Sequence, residues 1–129
     1  MLKKLLVPVF IVAAFGICSA QDTAQSHPES YKVEIDNQQV RVVRAYHAPH
    51  EKVPMHSHPT SVVVYLTDVH EISTASDGKR TEVRHHAGDV VWSPAHTHAL
   101  ENLSNEPIRV VEIELKAPAK ASHASQAHK

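Results

Sequence analysis

Between residues 31 and 115 the chain alternates apolar and polar positions with period two, in short runs broken by turn formers. Residues 31–35 alternate, and Asp36-Asn37 suits a turn. Residues 39–47 alternate again, with Val40 and Val42 opposing Arg41 and Val43. Residues 61–67 are apolar at nearly every position, the pattern of a strand covered by a sheet on both faces, within the chain or across a dimer. Residues 70–75 and 80–85 flank Ser76-Asp77-Gly78-Lys79, a hairpin connection of the Asp-Gly type. Residues 89–93, 98–103 and 108–115 complete the strands, and Asn105-Glu106-Pro107 makes the last turn. No helical period with caps interrupts them, so the pattern predicts an all-β sandwich or small barrel.

The two ends read differently. Lys3 and Lys4 precede an apolar run over residues 5–17 that ends in Cys18-Ser19-Ala20. That is the charged start, apolar centre and small-residue cleavage site of a secretory signal, cut after Ala20. The run is too short to span a bilayer comfortably. Residues 21–30 form a polar, flexible leader, and residues 116–129 a disordered tail of Ala, Ser, Lys, His and Gln. Removing residues 1–20 leaves 109 of the 129 residues, enough for one domain over residues 31–115. The expected location is periplasmic or secreted.

Composition then narrows the chemistry. Cys18 is the only cysteine, so the processed chain has no disulfide and no thiolate; any metal must be held by nitrogen and oxygen. Without Lys3 and Lys4, 11 of the 13 basic residues remain against 14 acidic ones, a net charge of −3. No basic stripe appears, so nucleic-acid binding is not expected, and nothing after the signal points to a membrane. All 12 histidines lie outside the signal, and two pairs stand one residue apart: His56 with His58, and His96 with His98. Alternate strand residues share a face, so each pair can aim two imidazoles at one point. Neutral imidazole is a common metal ligand. If the strand entering at His56 is regular, its face continues through Thr60, Val62, Val64 and Leu66, placing the pair at the mouth of an apolar interior. The bland alternative is two polar loop residues before Pro59.

These segments resemble the cupin superfamily. Its first signature is a glycine, five residues, then His-x-His, with a glutamate and a glycine following. Here His56 and His58 match; His50 stands at the glycine position, and the expected glutamate falls at Val62 or Val63. The second signature runs from glycine through five residues to proline, then glycine, histidine and asparagine. Gly88, Pro94, His98 and Asn102 match, with His96 in place of the glycine and the histidine one residue early. The chain is most similar to small single-domain bacterial cupins, and the resemblance implies a cupin-type (RmlC-like) jelly-roll β-barrel.

The resemblance also implies roles. His98 is the third ligand beside His56 and His58, for a divalent ion that could be zinc, iron, manganese, nickel or copper. Asn102, four residues on and on the same face, would line the pocket or bond a ligand, or else be an ordinary strand-end amide. Glu101 points the other way. His96 is a fourth ligand or, as we expect, an exposed turn residue with φ > 0. His47, His50, His70, His85 and His86 are expected as solvated surface residues, the first two near the pocket rim. His123 and His128 lie in the tail. Trp92, Tyr46 and Tyr65 are expected to pack. No carboxylate can be placed in the pocket.

Two functions of different class remain at this stage. One is a secreted cupin that binds a divalent metal and a small molecule, with metal-bound water as its only base. The other is a non-catalytic ligand-binding or structural cupin dimer without metal.

Overall fold

The computed structural model describes residue 24 and residues 27–118. The expected signal (residues 1–20) and the tail from residue 119 lie outside the described residues. Nine strands follow in order: β1 (Tyr31–Asp36), β2 (Val40–His47), β3 (Lys52–His58), β4 (Ser61–Tyr65), β5 (Val69–Ala75), β6 (Arg80–His85), β7 (Val90–Ser93), β8 (His96–Asn102) and β9 (Ile108–Leu115). They form two antiparallel sheets, β1-β2-β9-β4-β7 and β3-β8-β5-β6. The architecture is an all-β jelly-roll barrel. Expected and observed strands agree to within about two residues, with one exception: β3.

Pro54 explains that exception. It removes a ladder donor, and β3 is accordingly an edge strand with a register shift between Val53 and His56. The bulge resets the phase of the strand. Val53, His56 and His58 all turn inward, three residues and then two apart, although strict alternation would send Val53 and His56 to opposite faces. The strand then stops. Pro59 and Thr60 carry the chain to the other sheet, so β4 does not continue the His56 face. Its inward row is Ser61, Val63 and Tyr65, not Thr60, Val62, Val64 and Leu66 as expected.

The Asp-Gly hairpin forms between β5 and β6. Gly78 takes φ +86°, and Lys79 N donates to Asp77 Oδ1 at 2.9 Å. Residues 27–30, expected to be loose, make a turn in which Ser30 N and Tyr31 N both donate to His27 O at 3.0 Å. Ser30 is buried and its hydroxyl reaches Glu51.

The core between the sheets is small. Tyr31, Val43, Ala45, Ile108 and Val110 come from one sheet, and Val53, Val69 and Leu100 from the other. Each fully buried Val, Ile or Leu contributes about 1.5–3 kcal/mol. At one end this apolar packing gives way to buried histidines and carboxylates.

Candidate metal centre

Strands β3 and β8 are paired so that His56 lies opposite His98, and His58 opposite His96. Directly opposed residues in an antiparallel ladder have Cβ atoms about 4.5–5.5 Å apart, so the two His-x-His pairs form a four-imidazole lattice. Ring centroids of His56 and His58 are 4.8 Å apart, His56 and His98 4.8 Å, and His58 and His98 5.3 Å. One ring nitrogen from each of His56, His58 and His98 falls in a common cluster with no separation above 4.8 Å. These three sequence-selected residues therefore meet.

Their other nitrogens are engaged. His56 Nδ1 donates to Pro54 O at 2.6 Å. His98 Nδ1 lies 3.1 Å from Ser73 Oγ. His58 Nδ1 lies 2.9 Å from Glu112 Oε2, an ion-pair approach rather than a straight hydrogen bond, and neither atom has another partner. An acceptor on Nδ1 leaves Nε2 as the electron-pair donor, the arrangement seen around metal-ligating histidines. His98 Nε2 is buried without a partner. His56 Nε2 accepts the Tyr31 hydroxyl at 3.3 Å, and Tyr31 also meets His47 Nε2 at 3.0 Å. A ligand to His56 would displace only the longer of these two bonds. The donor set fits a divalent metal.

Beside the histidines is a cavity of about 80 Å³, room for a few waters or a small organic molecule. His58, His96, His98, Glu71, Glu112 and Tyr65 supply its polar wall, and Val63, Leu100, Ile108 and Val110 its apolar wall. The two carboxylates correct the expectation that none could be placed here. Glu112 is the cross-strand partner of Val63. A carboxylate thus reaches the cavity from the neighbouring strand β9, where it meets His58 Nδ1 rather than joining the three converging nitrogens. Glu71 enters from β5, in phase with buried Val69.

Burial and charge set the protonation states. Burial pushes His98 down to about 2 and His56 to about 4, aided at His98 by the neighbouring imidazoles; at His56 the bond to Pro54 O opposes it. Both are neutral and ready to ligate. Burial opposes charge on His58 too, but Glu112 outweighs it and holds His58 above the usual value. His58 in turn holds Glu112 below the carboxylate range despite its burial. Glu71 has no such partner: burial, and then the Glu112 charge, raise it to about 7.

Other expectations change. His47 is not a solvated rim residue; it continues the inward row of Val43 and Ala45, is 4% exposed, and lines the cavity. Burial holds its imidazole below the ordinary value. His96 is not in a turn with positive φ. It is the first residue of β8, half-buried, with Nδ1 on Pro94 O at 2.8 Å and its ring 4.4 Å from that of His98. Among the described residues the non-glycine position with positive φ is His50, at +58°, where the first cupin signature has its glycine. Asn102 does not line the cavity. Its amide is consumed by Ala48 O, Glu106 O, Ser104 N and Ser104 Oγ, all within 3.0 Å. His70 pairs with Glu82, and His85 stacks on Tyr65 with ring centroids 4.1 Å apart. Trp92 and Tyr46 are exposed, not packed. The signal that sequence reasoning missed is polarity in the wrong phase: His47, Glu71, Glu112 and Glu114 all fall on inward positions of their strands.

No protein-family model matches the chain, and no curated protein matches it in sequence. Solved structures do match. A cupin domain from Bordetella pertussis Tohama I is similar at 28% identity and a TM-score of 0.63, over 67% of this chain and 92% of that one. A conserved protein with a double-stranded β-helix domain from Klebsiella pneumoniae matches at 20% identity and a TM-score of 0.54, over 66% of this chain and 74% of that one. An oxalate decarboxylase matches at 26% identity and a TM-score of 0.51, over 67% of this chain but 26% of that one. The fold is the cupin jelly roll, in a single domain.

Proposed function

We propose that the protein is a secreted cupin that binds a divalent metal through His56, His58 and His98 and a small molecule in the adjoining cavity. The observation that carries this reading is the set of three converging imidazoles whose Nδ1 atoms are each engaged, together with the orphaned Nε2 of His98. A bound ion would supply Lewis acidity at the cavity wall. The chain's own groups do the rest. Glu112 orients His58, Pro54 O and Ser73 orient His56 and His98, and the apolar wall excludes water. His56 and His98 are neutral, His58 would release its second proton on ligation, and three imidazole nitrogens leave positions for an oxygen ligand on any of several first-row metals.

A second reading, that the site turns its ligand over, is favoured by Glu71. Burial and then the Glu112 charge hold this cavity carboxyl well above the usual carboxylate range, which leaves it a proton to give or take at the cavity wall. Elemental analysis of the purified protein tests the common ground. One metal per chain is expected, and His56→Ala, His58→Ala and His98→Ala should each lower its affinity by more than about tenfold. Failure to take up zinc, iron, manganese, nickel or copper would remove the proposal. Retention by all three variants would place the ion elsewhere, and mass spectrometry should find the processed N-terminus at Gln21.

A further inference from the structure

Tyr31 opens β1, an edge strand of the five-stranded sheet, yet it is only 3% exposed. Its ring centroid lies 5.7 Å from that of His56, 6.3 Å from that of His58 and 5.6 Å from that of His47. One hydrogen-bond partner is enough for a tyrosine buried for packing. This hydroxyl has two, and both are imidazole nitrogens. The direction of each bond follows from the groups behind it. His56 Nδ1 donates to Pro54 O, so His56 Nε2 carries the lone pair and Tyr31 donates to it. The hydroxyl has a single proton, so at His47 it accepts, and His47 carries its proton on Nε2.

A divalent ion on His56 takes the same lone pair that the Tyr31 proton uses. The proton then loses its acceptor, while the phenol oxygen stays held by His47 at 3.0 Å. A buried donor left without an acceptor is costly, and an atom bound to the ion can relieve it. We propose, on the metal reading above, that Tyr31 donates a hydrogen bond to the atom filling the ion's open position. It thereby selects an anionic oxygen donor such as a carboxylate, which keeps lone pairs after ligation. A neutral nitrogen donor, whose single lone pair is used up on the ion, gains nothing from this proton. His47 acts through Tyr31 as a positioning residue, fixing the hydroxyl so that its proton points to the centre. It also lines the cavity, so it ties the cavity wall to the coordination sphere.

Two measurements test this. In nitrogen NMR of the metal-free protein at neutral pH, His56 should carry its proton on Nδ1 and His47 on Nε2. His47 should keep that tautomer in the zinc-loaded protein. His56 protonated on Nε2 would overturn the proposal, since Tyr31 could not donate to it. So would a His47 that moves its proton to Nδ1 on loading, since the hydroxyl would then turn to His47. In the cobalt-loaded protein, acetate and imidazole serve as probes, each titrated by the visible Co(II) spectrum. Tyr31→Phe should bind acetate about tenfold more weakly and imidazole equally well, with Co(II) held no more weakly than by the parent. Equal losses for both probes would reduce Tyr31 to packing, and a tenfold loss of Co(II) affinity would make it a ligand; either result overturns the proposal. A parent that takes up no Co(II) fails the metal reading, and this proposal with it. A parent that takes up Co(II), with acetate binding absent or unaltered in Tyr31→Phe, fails this proposal alone.

Discussion

At the scale of single residues, the centre is decided by what sits behind each imidazole. A free imidazole offers two equivalent nitrogens and two tautomers; a partner on Nδ1 removes that choice and aims Nε2. Of the three partners, Glu112 is the only charged one. The residue is 9% exposed, and His58 is its compensation for leaving water. Glu112→Gln keeps shape and removes charge. The expected result is a loss of about 10–100-fold in metal affinity with the one-to-one ratio retained at saturation, measured by competition with a chelating dye. Unchanged affinity would mean that Glu112 does not orient His58. The three histidines were legible in the sequence because two His-x-His spacings stand out against any background. Glu112 was not, since it sits 49 residues after Val63 in sequence and becomes its neighbour only through the β4–β9 ladder. The phase of β9 held the clue: Ile108 and Val110 face inward, and continuing by twos reaches Glu112 and Glu114.

At the scale of elements, strand ends rather than strand middles place the site. The bulge at Pro54 turns His56 inward, and β8 must run in register with it for His98 and His96 to stand opposite. The far end of β8 is pinned by Asn102. This side chain is 2% exposed and ties the β2–β3 connection, through Ala48 O, to the turn before β9, through Ser104 and Glu106. Period-two reasoning put Asn102 on the inner face correctly, but burial there means anchoring rather than pocket lining. Asn102→Ala should therefore destabilise the fold by about 3 kcal/mol, more than 10 °C in Tm for a domain this size, because several buried polar groups lose their partner. Metal stoichiometry at a temperature where the variant is folded should stay the same. A stable variant that had lost its metal would show Asn102 to be part of the site after all. The strand plan was readable because alternation and the Asp-Gly turn are local signals. The Pro54 bulge was not, since a proline within a run reads as the end of a strand.

At the scale of the whole molecule, the balance of the interior sets the pH response. Among the described residues, eight buried side chains are apolar and nine are polar or charged. So polar an interior gives up stability to hold a site, and the cost moves with protonation. Two groups of opposite sign dominate the metal-free protein. His56 and His98 are held far below the unfolded value of 6.5, so stability present above that pH is lost as it falls towards about 4. Glu71 is raised from 4.5 to about 7, so its contribution is full below 4.5 and is lost as pH rises through 7. Glu112 is the charge that Glu71 feels, and Tyr65, lifted to about 12 chiefly by burial, stays neutral throughout. With chelator present, stability should rise from acid to about pH 6.5 and then decline. A shift of this size in Glu71 corresponds to about 3 kcal/mol between pH 4.5 and neutrality. Glu71→Gln should remove the decline and steepen the acid limb, in urea titrations taken across that range. Saturating metal should add a stabilisation that grows with pH, since its ligands must be neutral. Parallel pH profiles for the parent and Glu71→Gln would mean that this carboxyl ionises as if it were in water, and the case for proton exchange in the cavity would go with it.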